Sequence, residues 1–148
     1  MAQAPPRIDF YLLDTSEADA RELFCCRLTE KAYRQGYRVF ILNAGGAATR
    51  ALDLRLWTFR AGSFIPHAMA AQAEEEPVVL GEQPPAAAID LLINLTAQCP
   101  DQWQRLSRIA EIITQHPEAL ACARERFRSY RDGGAKPTYH RVASSKPA

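Results

Sequence analysis

What this 148-residue chain lacks narrows its class first. Neither GxGxxG nor GK[ST] occurs, so both fingerprints of a glycine-rich turn that cradles phosphates are missing. The four cysteines, Cys25, Cys26, Cys99 and Cys122, form no CxxC pair and no metal-ligand spacing. Buried thiols in a reducing compartment are therefore expected, with no metal and no cofactor. No apolar run reaches the length of a membrane span. The opening MAQAPPRIDFYLL has no charged region leading into an apolar run and a cleavage site, which predicts a cytoplasmic protein. An excess of one charge is absent too: 18 Lys and Arg stand against 17 Asp and Glu, not the profile of a protein that coats nucleic acid. Nor do His, Asp, Cys or Ser residues assemble into a catalytic constellation, so no catalysis is expected.

What is present suits one globular domain. A hydrophobic share of 47% in a chain of this length supports a sizeable core. After a short N-terminal extension (1–6), IDFYLL (8–13) reads as a strand, and Asp14, Thr15 and Ser16 offer capping oxygens to a helix over 17–34. Ala20, Leu23, Phe24, Leu28, Ala32 and Tyr33 mark its buried stripe. YRVFIL (37–42) is a second strand. Strand, helix and strand make a βαβ unit, which implies a parallel pair with a right-handed crossover. AATRALDLRLWT (47–58) reads as a second helix, followed by SFIPHA (63–68) and an acidic surface loop (73–76).

PVVL (77–80) is a strand at or near an edge because of its proline, and GEQPPA (81–86) is a breaker-rich turn. AIDLLINL (88–95) is apolar enough to be a strand buried on both faces. PDQWQRLS (100–107) looks helical, and RIAEIIT (108–114), whose isoleucines fit either period, is assigned to a strand. A helix follows over 117–131, and a partly ordered tail from about 136 to 148. The predicted fold is a single α/β domain spanning 1–148, a central mostly parallel or mixed sheet flanked by helices, Rossmann-like without a phosphate loop. Its first turn, LLDTSEAD, has no glycine and three acids that would repel a pyrophosphate, and the Gly45–Gly46 pair serves a turn.

The helix PEALACARERFRSYR (117–131) carries the strongest functional signal. Pro117 suits its first position, Glu118 complements the positive end of the dipole, and Gly133 and Gly134 stop it. Arg124, Phe127, Arg128 and Arg131 fall at i, i+3, i+4 and i+7, so three guanidiniums and a ring share a stripe. Such a stripe suits a ligand both acidic and apolar; a plain solvated face, with Phe127, Leu120 and Ala123 buried, is the alternative. Residues 120–148 hold seven Lys or Arg against two acids, whereas 1–119 hold eleven against fifteen. That confinement favours a local anionic partner. Trp57 and Phe64 are core rings or anchors of a docking surface. His67 has a structural role.

FYLL, ALDLRLW with SFIPHA, DLLINL and ARERFRSYR, in that order, resemble the chi subunit of the bacterial DNA polymerase III holoenzyme over residues 8–139. The resemblance implies a compact α/β domain without catalysis that pairs with the psi subunit of the clamp loader. It also implies a grip on the C-terminal tail of single-stranded-DNA-binding protein, with DNA contacted only indirectly and no membrane. Carried over residue by residue, Trp57 and Phe64 face psi, and Arg124, Phe127, Arg128 and Arg131 match the tail pocket. Two departures stand out: Leu120 replaces a basic residue, and Phe127 replaces a tyrosine-type ring. The competing classes are a nucleotide-binding α/β protein and a direct binder of single-stranded DNA.

Overall fold

The computed structural model describes residues 4–85 and 88–143. Residues 1–3 of the N-terminal extension, 86 of the breaker-rich turn and 144–148 of the tail lie outside the described residues. The chain order is β1 (Arg7–Leu13), α1 (Ala18–Arg34), β2 (Val39–Leu42), α2 (Ala47–Thr58), β3 (His67–Met69), β4 (Val78–Gly81), β5 (Leu91–Asn94), β6 (Arg108–Ile113), α3 (Pro117–Asp132) and β7 (Thr138–Val142). The strands form one sheet in the order β3-β4-β2-β5-β6-β1-β7, and every pairing is parallel. An all-parallel sheet needs cover on both faces, which explains the unbroken apolar runs of β2 and β5.

Alternation along each strand divides the core in two. Leu13, Val39, Ile41, Leu80, Ile93 and Ile112 pack on one face against α1 and α2, through Cys25, Cys26, Leu52 and Leu56. Ile8, Phe10, Phe40, Leu92, Ile109 and Ile113 pack on the other against α3, through Ala123 and Tyr130, with Trp103. The helices thus lie on both sides of the sheet, a doubly wound arrangement.

Several expectations shift. β1 and β2 are parallel but not neighbours, because β6 and β5 lie between them; the α1 crossover spans two strand places. The deepest residues of α1 are Cys25, Cys26, Thr29 and Ala32, with Ala20, Leu23, Phe24, Leu28 and Tyr33 half-buried beside them. Cysteine is as apolar as the leucines, so a stripe drawn on Leu and Phe is rotated off the true centre. Cys99 and Cys122 are only half-buried, and all four thiols are free. β4 stands one place in from the edge; the edge is β3, three residues too short to register as a strand in the sequence. Within 100–107, only Trp103–Arg105 is helical, as a single 3₁₀ segment.

The largest change is at the end of the chain. Thr138–Val142, read as tail, is β7, which pairs with β1 from Asp9 to Leu13. Pairing with a strand already in place supplies the backbone bonds that no local pattern announced. Gly133 lets α3 end against Trp103: a Cβ there would stand 2.6 Å from the indole.

Candidate functional site

Two groups of rings stand at opposite edges of the sheet. At the β3 edge, α2 and the loop behind it present Leu54, Trp57 and Phe64, which is 80% exposed. Trp57, 49% exposed, lies over His67 with ring centroids 4.2 Å apart. His67 is buried and fixed, its Nδ1 2.6 Å from the Ile65 carbonyl oxygen and its Nε2 3.1 Å from that of Asp53. The histidine therefore braces the base of a tryptophan whose remaining surface meets water. Neither Trp57 nor Phe64 is a core residue. Leu54, three residues before Trp57 on the same helix face, escaped notice in the sequence because it looked like one more helical leucine.

At the β7 edge the rings are stacked. Phe127 of α3 lies parallel to Tyr139 of β7, centroids 4.5 Å apart and planes 3° from parallel, and both stand 5.4 Å from Phe10. Phe127 is half-buried and Tyr139 is 44% exposed. Arg124, Arg128 and Arg131 are exposed, and none of their guanidiniums makes an ion pair or hydrogen bond among the described residues. Burial raises the Tyr139 phenol above its ordinary value, against the nearby charges of Arg124 and Arg126. Ring, cation and tyrosine thus share one surface. Tyr139 was missed as a site residue because it lay in the presumed tail.

Beneath that surface runs a polar network also absent from the sequence reading. Glu111 on β6 is fully buried; Arg126 donates to it through Nε at 3.1 Å, the Tyr130 hydroxyl at 2.6 Å and the Asn94 amide at 2.9 Å. Burial pushes the Glu111 carboxyl above its ordinary value, opposed chiefly by the Arg126 charge. It raises the Tyr130 phenol as well, with Glu111 adding to the effect. This fixes α3 to β6 and so fixes the direction of the arginine stripe. The signal was a lone acid inside a strand of isoleucines, which demands a buried partner.

The glycine-rich turn after β2 is filled from within. Asn43 Oδ1 accepts from the Gly45 N–H at 2.9 Å and from the Thr49 hydroxyl. Gly45, at φ +84°, carries the Glu82 side chain against it: a Cβ would fall 2.3 Å from the carboxyl carbon. An acid thus stands beside the turn that leads into α2, where its charge would repel a phosphate. Among the described residues no group of three or more His, Cys, Asp or Glu could hold a metal ion, and no helix is long and apolar enough to cross a membrane.

The fold and these surfaces define a Rossmann-like α/β domain without a phosphate loop, with exposed rings at one sheet edge and rings among cations at the other. The DNA polymerase III chi subunit (HolC) family profile matches residues 6–138. The chain is 43% identical over 137 residues to DNA polymerase III subunit chi of Pseudomonas aeruginosa, covering 92% of this chain and 96% of that one. It is 28% identical over 133 residues to the Escherichia coli subunit, covering 84% and 90%. In fold it also resembles the C-terminal domain of S. cerevisiae Dbp5, with a TM-score of 0.62 at 11% identity over 97% of this chain and 92% of that one. The chain belongs to the DNA polymerase III chi subunit family. It is a non-catalytic accessory subunit that links the clamp loader, through psi, to single-stranded-DNA-binding protein.

Proposed function

We propose that Trp57 and Phe64, with Leu54 beside them, receive psi, and that Arg124, Phe127, Arg128 and Arg131, joined by Tyr139, receive the C-terminal tail of single-stranded-DNA-binding protein. Both partners are met in the cytoplasm, with DNA touched only through them. The carrying observation is the half-buried Phe127–Tyr139 stack beside three arginines without internal partners. A tail that is acidic and ends in an aromatic residue with a free carboxylate needs both elements: forked cations for its oxygens and a fixed apolar face for its ring. Exposed ion pairs contribute only about 0.2–1 kcal/mol each, whereas burying a ring gives roughly 1.5–3 kcal/mol. The rings hold and the charges steer. After the ordering cost of a flexible tail, micromolar affinity, about −8 kcal/mol, is expected.

The placement of the two surfaces supports a bridging role. They stand at opposite edges of a seven-stranded sheet, six spacings or about 29 Å apart, so one partner leaves the other's surface free. Calorimetric titration with an acidic peptide ending in Phe tests the tail site: Arg128→Ala and Arg124→Ala each weaken binding several-fold without lowering the melting temperature. Unchanged affinity in both variants would remove α3 from the site. Retention on single-stranded oligonucleotides independent of the peptide would favour direct DNA binding instead.

A further inference from the structure

At the carboxyl end of β6, between the segments that follow β5 and β1, lies a cavity that neither surface uses. The chain leaves β1 through α1 toward β2, in one direction along the sheet, and leaves β6 through α3 toward β7, in the other. Because α1 and α3 cover opposite faces, their N-termini part at the carboxyl edge of β1 and β6. That is the topological switch point, where open α/β sheets hold their ligands. The cavity measures about 380 Å³, within the range of small-molecule sites, and its walls include Ser16 and Arg21 of the α1 side, Thr96 after β5, and Ala119, Cys122 and Arg126 of α3.

Two guanidiniums define its chemistry. Arg21 donates from one terminal nitrogen to the Leu95 carbonyl at 3.2 Å, and Arg126 from another to the Ala97 carbonyl at 3.1 Å. A single loop therefore fixes both. Arg126, only 6% exposed, spends its Nε on Glu111, which leaves it two named bonds out of five donors; Arg21 has one. Glu111 balances one of these charges from below, and Glu118 stands exposed on the rim. The start of α1 adds Ser16 and Ala18 to the wall. Burial, and then the Arg126 charge, hold the Arg21 guanidinium below its ordinary value, against the nearby Glu22 and Glu111. The acids of the first turn are elsewhere: Asp14, Glu17 and Asp19 do not line the cavity. Leu95, Ile112, Ile113 and Ala119 make its floor apolar. This face of α3, at Ala119, Cys122 and Arg126, is turned away from the stripe of Arg124, Phe127 and Arg131.

We propose that the switch-point cavity between Arg21 and Arg126 binds a small organic anion, one carboxylate or phosphate monoester group on an apolar body, independently of the partner surfaces. The guanidiniums take the oxyanion and the isoleucine floor takes the body.

The test uses the full chain, isotope-labelled, titrated with phenyl phosphate and with benzoate, with inorganic phosphate as the head-group control. Amide shifts at Thr96, Ala97, Ala119 and Cys122, saturating near 1 mM or below, are expected. Arg21→Gln weakens binding at least about tenfold, and Ala119→Leu, which fills the cavity and leaves both arginines in place, abolishes it; Arg124→Gln does neither. Three outcomes overturn the proposal: no shift at these amides, shifts that persist in both Arg21→Gln and Ala119→Leu, or inorganic phosphate binding as tightly as phenyl phosphate. Displacement of phenyl phosphate by the acidic tail peptide would also overturn it, by merging the cavity with the tail site.

Discussion

At the β3 edge, Trp57 and Phe64 stand in water; at the β7 edge, rings are stacked on one another among cations. Phe64 touches little of its own chain, while Phe127 is held between Phe10 and Tyr139 and its helix is tied to β6 through Glu111 and Arg126. On the proposed assignment of partners, the difference matches what each would bring. A folded partner supplies its own packing, so free rings are enough to anchor it. A flexible peptide brings no structure and loses entropy on binding, so its receptor has to be rigid beforehand. A surface for a tail therefore reaches into the core, and a surface for a subunit does not have to.

That contrast can be broken by mutation. The largest effect is expected under the β7 edge: Glu111→Ala leaves Arg126 buried without its carboxylate and should cost about 3–5 kcal/mol of stability, read as a lowered melting temperature. Phe64→Ala at the other edge should move stability by less than about 0.5 kcal/mol. If the two variants melt alike, the edges do not differ in their ties to the core. Next, Trp57→Ala combined with Phe64→Ala should cost about 2 kcal/mol or more of psi affinity and leave the tail peptide bound as before. Co-purification of psi with the double variant at wild-type yield would contradict that division.

Smaller effects sharpen it. Tyr139→Ala removes half of the ring stack and should weaken the tail peptide by about 1 kcal/mol, measured by calorimetry, with psi unaffected. Raising salt should loosen the tail complex more than the psi complex, because three unpaired guanidiniums stand at the β7 edge. The smallest effect concerns how β7 is attached. Asp9 is buried on β1, with His140 Nε2 2.7 Å and Arg7 Nε 3.0 Å from its carboxyl oxygens. Burial raises its value, but the His140 hydrogen bond and the charges of Arg7 and Arg108 outweigh this and hold it below the ordinary 3.8. A carboxyl lowered in the native state stabilises the fold at pH above its unfolded value and loses that contribution as pH falls through the native one. Acid unfolding should therefore steepen below about pH 3.8, and Asp9→Asn should flatten that slope.

Much of this molecule could be read from one dimension. The bounds of α2, the start of α3 at Pro117 and the strand character of 108–113 follow from breakers, caps and side-chain period, all local properties. The basic stripe was legible for the same reason: helical spacing fixes which side chains stand together. β7 was not legible, because a short polar segment becomes a strand only when another strand offers it a ladder. Tyr139 was lost with it.

Sequence by itself determined that the chain would alternate strands and helices, lack a phosphate loop, and carry its net positive charge at the C-terminal end. Tertiary structure alone decided that Phe64 would face water while Phe127 stacks, that Arg126 would turn inward to Glu111 while Arg124 turns outward, and that Glu82 would close the turn at Gly45. The physical reason is range. Propensity and periodicity act over a few residues, whereas burial and the pairing of charges depend on which distant segments the sheet order brings together.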